Sequence, residues 1–153
     1  MAIRNIIQDN DPQIHKISKV VTAFEENLWQ LLDDMKETMQ KADGVGLAAV
    51  QVGVLKRVFI VEINNMFLEC INPTILETSG EQVGEEGCLS IQHCTALVKR
   101  PLQLTLKAQD RFGYDFTITA EHGLAVALNH EYDHLDGVLI TDKALEIYKK
   151  GQK

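Results

Sequence analysis

Two histidines four residues apart, His130 and His134, stand near the end of the chain with Glu131 beside the first, in the stretch "LNHEYDHLDG". On a helix, residues four apart lie one above the other on one face, so both imidazoles can reach a single metal ion. Glu131, one position round, then leans over that ion. The pattern is HExxH, in which the histidines hold a metal and the glutamate moves a proton for a metal-activated water. A lone histidine is more often a satisfied polar residue than a ligand; a phased pair with the intervening glutamate reverses that balance.

An open catalytic site of this kind uses three protein ligands. The extended motif HExxHxxGxxH has its glycine, Gly137, but Ile140 stands where the last histidine belongs. Downstream of His134 the sole acidic candidate of note is Glu146 in "KALEIYKK", which reads as the surface of a short terminal helix. Upstream, "EEGCLS" (85–90) places Cys88 in a glycine-bearing loop between strands. A thiolate binds zinc or ferrous iron tightly. Cys70 lies in the strand-like "FLECI" and reads as a buried hydrophobe. Cys94 follows His93, and neighbours on a strand point to opposite faces. A Cys88/His130/His134 set is the expected metal site.

The elements that must position these residues follow from periodicity. "TAFE" (22–25) has the form of a capping box. Behind it Phe24, Leu28, Leu31, Leu32, Met35 and Met39 recur at helical spacing, which predicts an N-terminal amphipathic helix ending near Asp43 and Gly44. "RVFIVEI", "FLECI", "LQLTLKA" and "DFTITA" read as strands, and "DRFGYD" as the hairpin connection between the last two. From Glu121 onward Leu124, Leu128 and Leu135 restore the helical period, with Gly137 placed to end the helix. The expected fold class is α+β, with antiparallel strands packed around a helix in the C-terminal region that carries HExxH. Gly123, Val126 and Ala127, one or two turns before His130, are small and apolar; they either line a pocket beside the ligands or permit close helix–sheet packing.

The totals bound the rest. A chain of 153 residues with 45% hydrophobic and 24% charged residues is expected to form one domain, 1–153. A net charge of −7 disfavours direct nucleic-acid recognition. No apolar run has membrane-spanning length, and the opening "MAIRNIIQDNDPQ" lacks a secretory apolar core. Three cysteines in no disulfide-like spacing fit the reducing cytoplasm.

Taken in order, "GVGLAAVQVG" (44–53), "EGCLS" (86–90) and "HEYDHLDG" (130–137) resemble the three signature motifs of the peptide deformylase family, and the resemblance extends over nearly the whole chain. Taken alone, the first motif is a glycine-rich turn leading into a strand. The resemblance implies an enzyme that removes the formyl group from the N-terminal methionine of nascent polypeptides and releases formate. It implies one divalent metal ion on Cys88, His130 and His134, with Fe(2+) as the native ion and Zn(2+), Ni(2+) or Co(2+) as substitutes. Glu131 would be the acid/base, and Gln51 with the backbone N–H of Leu89 would bind the oxyanion. Gly46 and Val45 would lie beside the bound peptide, and Gly123, Val126 and Ala127 by its methionine. Formyl-methionyl N-termini, with transient ribosome contact, are the implied partners. Val50, Gln92, Thr95 and Asn129 depart from residues usual in the family motifs. Two other readings stay open: an amidase or peptidase acting on unformylated substrates, and a non-catalytic metal-binding module.

Overall fold

The computed structural model describes residues 2–150. It is an α+β arrangement of two antiparallel sheets and two α-helices. The chain runs through α1 (Glu26–Lys41), β1 (Gly46–Ala48), β2 (Val58–Ile63), β3 (Met66–Ser79), β4 (Gln82–Cys88), β5 (Ile91–Arg100), β6 (Gln103–Gln109), β7 (Asp115–Glu121), α2 (His122–Leu135) and β8 (Glu146–Lys149). The larger sheet has the order β1-β2-β3-β6-β7 and the smaller β4-β5-β8.

The larger sheet is covered on both faces, which explains the unbroken apolar run at the start of β2. Phe59 and Val61 pack with Ala125, Ala127, Leu128 and Leu135 of α2. Their neighbours Val58 and Ile60 turn the other way, into a cluster with Leu28, Leu31, Leu32, Met35 and Met39 of α1. A third cluster, including Ile91, Ala96 and Val98 of β5, joins Ile14, Leu139 and Ile140 beneath the smaller sheet. Helix α2 contacts β1, β2, β6 and β7 of the larger sheet and β5 of the smaller. It therefore sits where side chains from both sheets converge.

Both helices end alike. The N–H groups of Gly137 and Val138 reach the carbonyls of His134 and Asp133, with Gly137 in the left-handed region at φ 75°. In α1 the corresponding donors are Asp43 and Gly44, on Gln40 and Met39, with Asp43 at φ 56°. These are Schellman closures, which satisfy carbonyls a helix end leaves bare.

Four expectations need correction. Helix α1 begins at Glu26, and its N-cap Glu25 makes no side-chain capping bond, so "TAFE" is not a capping box. The Asn72 side-chain amide holds the backbone of Val21 at both ends, its Oδ1 accepting from the Val21 N–H at 2.8 Å and its Nδ2 donating to the Val21 carbonyl at 2.9 Å, and Glu25 is still extended. Strand β3 runs far beyond "FLECI", to Ser79, because a register shift between Ile71 and Thr74 absorbs Asn72 and Pro73. Residues 146–149 form the edge strand β8 on β5 rather than a terminal helix. Cys88 is the last residue of β4, directly before the turn into β5, rather than a loop residue between strands.

Candidate metal centre

Two elements deliver the cluster. The ring nitrogens of His130 and His134, on α2, and the Sγ of Cys88, at the end of β4, all lie within 4.8 Å of one another. This is the one such group of three or more among the described residues. Two donors at ~2.0–2.3 Å from one tetrahedral centre stand roughly 3.3–3.6 Å apart. Cys88 Sγ and His134 Nε2 are 3.4 Å apart. A thiolate and two imidazoles at this spacing fit a divalent zinc- or iron-type ion. The other cysteines are elsewhere: Cys70 is buried in the core and Cys94 is on the buried face of β5, while His93 is exposed and pairs with Asp9. Glu146 lies on the exposed face of β8, accepting a hydrogen bond from the Tyr148 hydroxyl.

An ion-pair network that the spacing of the motifs did not reveal orients His130. Its Nδ1 is 2.9 Å from Glu86 Oε1, which leaves Nε2 to face the cluster. Glu86 is in turn gripped by the fully buried Arg100, whose Nε and NH2 donate at 2.9 and 2.8 Å. Arg100 NH1 continues to Asn129 and Asp133 on α2, at 2.8 and 2.6 Å, and Lys143 closes on Asp133 at 2.9 Å. A sequence signal for this existed: Arg100 continues the inward phase of Cys94, Ala96 and Val98, where a cation is tolerated only with partners. Asn129, a departure from the usual motif, spends its carbonyl on that arginine. The other departures are Val50, packed in the core, Gln92, donating to the Leu89 carbonyl, and Thr95, donating to Glu85.

The electrostatics follow from burial and this network. Burial opposes charge on Glu86, but hydrogen bonds from His130 and Arg100 outweigh it and hold the carboxyl below its ordinary range. For His130, burial likewise disfavours the charge; hydrogen bonds to Cys88 and Glu86 and the nearby Glu131 carboxylate reverse that and raise its pKa to about 10. Burial, then the charges of His130 and Arg100, push His134 well below its ordinary value. Glu131 is 5% exposed, and burial raises its pKa to about 7 against the pull of His130 and Arg100. Its Oε1 is buried without a hydrogen-bond partner among the described residues.

A cavity of about 410 Å³ opens onto this cluster. Val45, Gly46, Gln51, Cys88, Leu89, Gly123, Val126, Ala127, His130 and Glu131 all line it, while His134 stands behind. Gln51 has a fixed orientation. Its Oε1 accepts from the Ala48 N–H at 2.9 Å, so its amide nitrogen must face Ser90 Oγ at 3.0 Å and Cys88 Sγ at 3.6 Å. Gly46 approaches Glu131 so closely that an added Cβ would stand 2.5 Å from Oε2 and 2.9 Å from Cδ. By contrast Gly123 has room, since its Cβ would meet only Ile63 at an ordinary 3.7 Å. Gly46→Ala is therefore expected to push the Glu131 carboxylate aside. A displacement of this order costs about 10²-fold in rate, with metal content unchanged, and kcat set against metal analysis checks it.

Known proteins carry the same fold and related sequences. The sequence model described as polypeptide deformylase matches residues 3–150. A peptide deformylase of Acetivibrio thermocellus is 50% identical over 145 residues, covering 95% of this chain and 85% of that protein. The crystal structure of a peptide deformylase from Legionella pneumophila superposes with a TM-score of 0.90 at 43% identity, over 93% of this chain and 86% of the other. That of peptide deformylase from Thermotoga maritima gives 0.93 at 39% identity, over 95% of this chain and the whole of the other. The chain belongs to the polypeptide deformylase family. It is an enzyme, a hydrolase of protein biosynthesis in a metal-dependent family.

Proposed function

We propose that residues 1–153 work as one domain that removes the N-formyl group from the N-terminal methionine of nascent polypeptides and releases formate. The observation that carries this reading is the convergence of Cys88, His130, Glu131 and Gln51 on one cavity, with His134 closing the ligand set behind it. Cys88, His130 and His134 hold one divalent ion, with ferrous iron as the native ion; the same donors accept zinc, nickel or cobalt. When bound, that ion lowers the pKa of a water molecule and polarises the formyl carbonyl.

The chain's own residues do the rest. Glu131, on the helix that carries both histidines, takes a proton from the attacking water and gives it to the departing amine. Its buried carboxylate lines the cavity beside the ligands, in reach of both transfers. Water adds its oxygen to the formyl carbon, the C–N bond breaks, and formate and a free α-amine leave. As attack develops, negative charge on the formyl oxygen meets the Gln51 amide and the Leu89 N–H. Val45 and Gly46, leading into and starting the edge strand β1, run beside the peptide. Gly123, Val126 and Ala127 receive the methionine side chain. The amphipathic α1 buttresses β1 and β2 from the far face. The setting is the cytoplasm, with transient ribosome contact. No helix among the described residues is long and apolar enough to cross a membrane.

Formate release from formyl-Met peptides, measured beside cleavage of unblocked peptides, tests the reading. Release from the blocked peptides alone is expected; cleavage of unblocked peptides alone would overturn it. Gln51→Leu is expected to lower kcat by about 10²–10³ with metal content unchanged. The same change strips partners from the Ala48 N–H and Ser90 Oγ, so stability falls as well, by about 1–3 kcal/mol, and the melting temperature with it. A Gln51→Leu enzyme with full kcat would remove Gln51 from the oxyanion site.

A further inference from the structure

Among the side chains lining the cavity, Lys150 is exposed and belongs to neither the ligand cluster nor the Glu86–Arg100 network. Strand β8 brings it there: Lys149 pairs with Cys94 in the β5–β8 ladder, and the Lys150 N–H then bonds the His93 carbonyl at 2.9 Å. Lys99, Lys107 and Lys143 each pair with a carboxylate. Lys150 has no such pair among the described residues. It is also the one lysine or arginine along this cavity, whose lining carboxylates are Asp43, Glu86 and Glu131. Glu86 is committed to Arg100 and His130, and Glu131 is buried beside Gly46. The exposed ionised groups at the cavity are thus Asp43 and Lys150.

Resting on the deformylase reading above, we infer that Lys150 is a specificity-determining residue that favours substrates with an acidic side chain shortly after the formyl-methionine. The formyl group and the methionine are neutral and occupy the metal and the apolar lining. What emerges from the cavity is the peptide's second and third residues. An ammonium on a flexible four-carbon stem can meet a carboxylate there without fixing the backbone. The effect belongs in KM, because the contact is remote from the reacting atoms and equally present before and during the reaction. An exposed pair of this kind amounts to about two- to fivefold in binding, and it fades as salt rises.

Three amidated peptides, formyl-Met-Ala-Asp, formyl-Met-Ala-Asn and formyl-Met-Ala-Lys, separate the possibilities with the wild type, Lys150→Glu and Lys149→Glu. Lys149 carries the same charge one residue earlier but does not line the cavity. For the wild type, KM is expected to rise from Asp to Asn to Lys, about two- to fivefold per step, with kcat level. Lys150→Glu should reverse the order, and Lys149→Glu should keep it. The Asn peptide should be handled alike by all three, with matching thermal melts. Formate release without a charge order, an order that survives Lys150→Glu, or an equal reversal by Lys149→Glu would each overturn the inference and leave the deformylase reading standing. No formate from any of the three peptides would instead overturn that reading, and this inference with it.

Discussion

Glu131→Gln is expected to keep its fold and its metal and to release formate at least about 10²-fold more slowly than the wild type. Glutamine has the size and shape of glutamate, and the site asks little of the charge for stability. Glu131 is 5% exposed, has one oxygen without a hydrogen-bond partner among the described residues, and lies no closer than 4.0 Å to the His130 ring nitrogen. What the variant lacks is a group that can take a proton and give it back. Positioned acid/base groups contribute about 10²–10⁴ in rate, and here one group serves both transfers, so the upper end of that range is expected. The measurements are kcat on a formyl-Met peptide, metal content and thermal stability. A variant that is metal-replete and fully active would show that the proton moves by another route. Together with Gly46→Ala, it separates loss of the carboxylate from its displacement.

Cys88→Ala is expected to abolish stoichiometric metal binding, whereas Cys70→Ala and Cys94→Ala retain it. Without the thiolate, two imidazoles remain, and His130 alone of them has its second nitrogen held, by Glu86 at 2.9 Å; His134 Nδ1 has no partner among the described residues. Two neutral nitrogens without a thiolate make a weak, incomplete site. Cys70, on β3, faces the core shared with α2, and burial pushes its thiol well above the ordinary range, so it has no ligand role. Cys94 packs with Ile91, Ala96 and Val98. Trimming either leaves a small cavity and a lower melting temperature, with the metal in place. Metal analysis of the three purified variants decides this, and full occupancy in Cys88→Ala would remove Cys88 from the ligand set.

Much of this was legible because it is written in local periodicity. The four-residue spacing of His130 and His134 and the leucines around them define one helical face wherever that helix packs. Gly137 closes the helix by a bond pattern spanning a few residues. The alternation in β6 and β7 and the turn at Asp110–Tyr114 are equally local. What only the tertiary structure decided depends on partners far apart in the chain. Residues 146–149 mix helix-favouring Glu146 and Lys149 with strand-favouring Ile147 and Tyr148, and the free edge of β5 decides for a strand by offering a ladder. "TAFE" has a capping pattern, yet Asn72 holds the chain extended beside it. Arg100 shows its inward phase in the sequence, but Glu86, Asn129 and Asp133, 14 to 33 residues away, appear as its partners only when β4, β5 and α2 meet. The same convergence brings Gly46 against Glu131 and Lys150 to the cavity. Side-chain phase is set by the backbone of each element, whereas the identity of a partner is set by which elements bury their faces together.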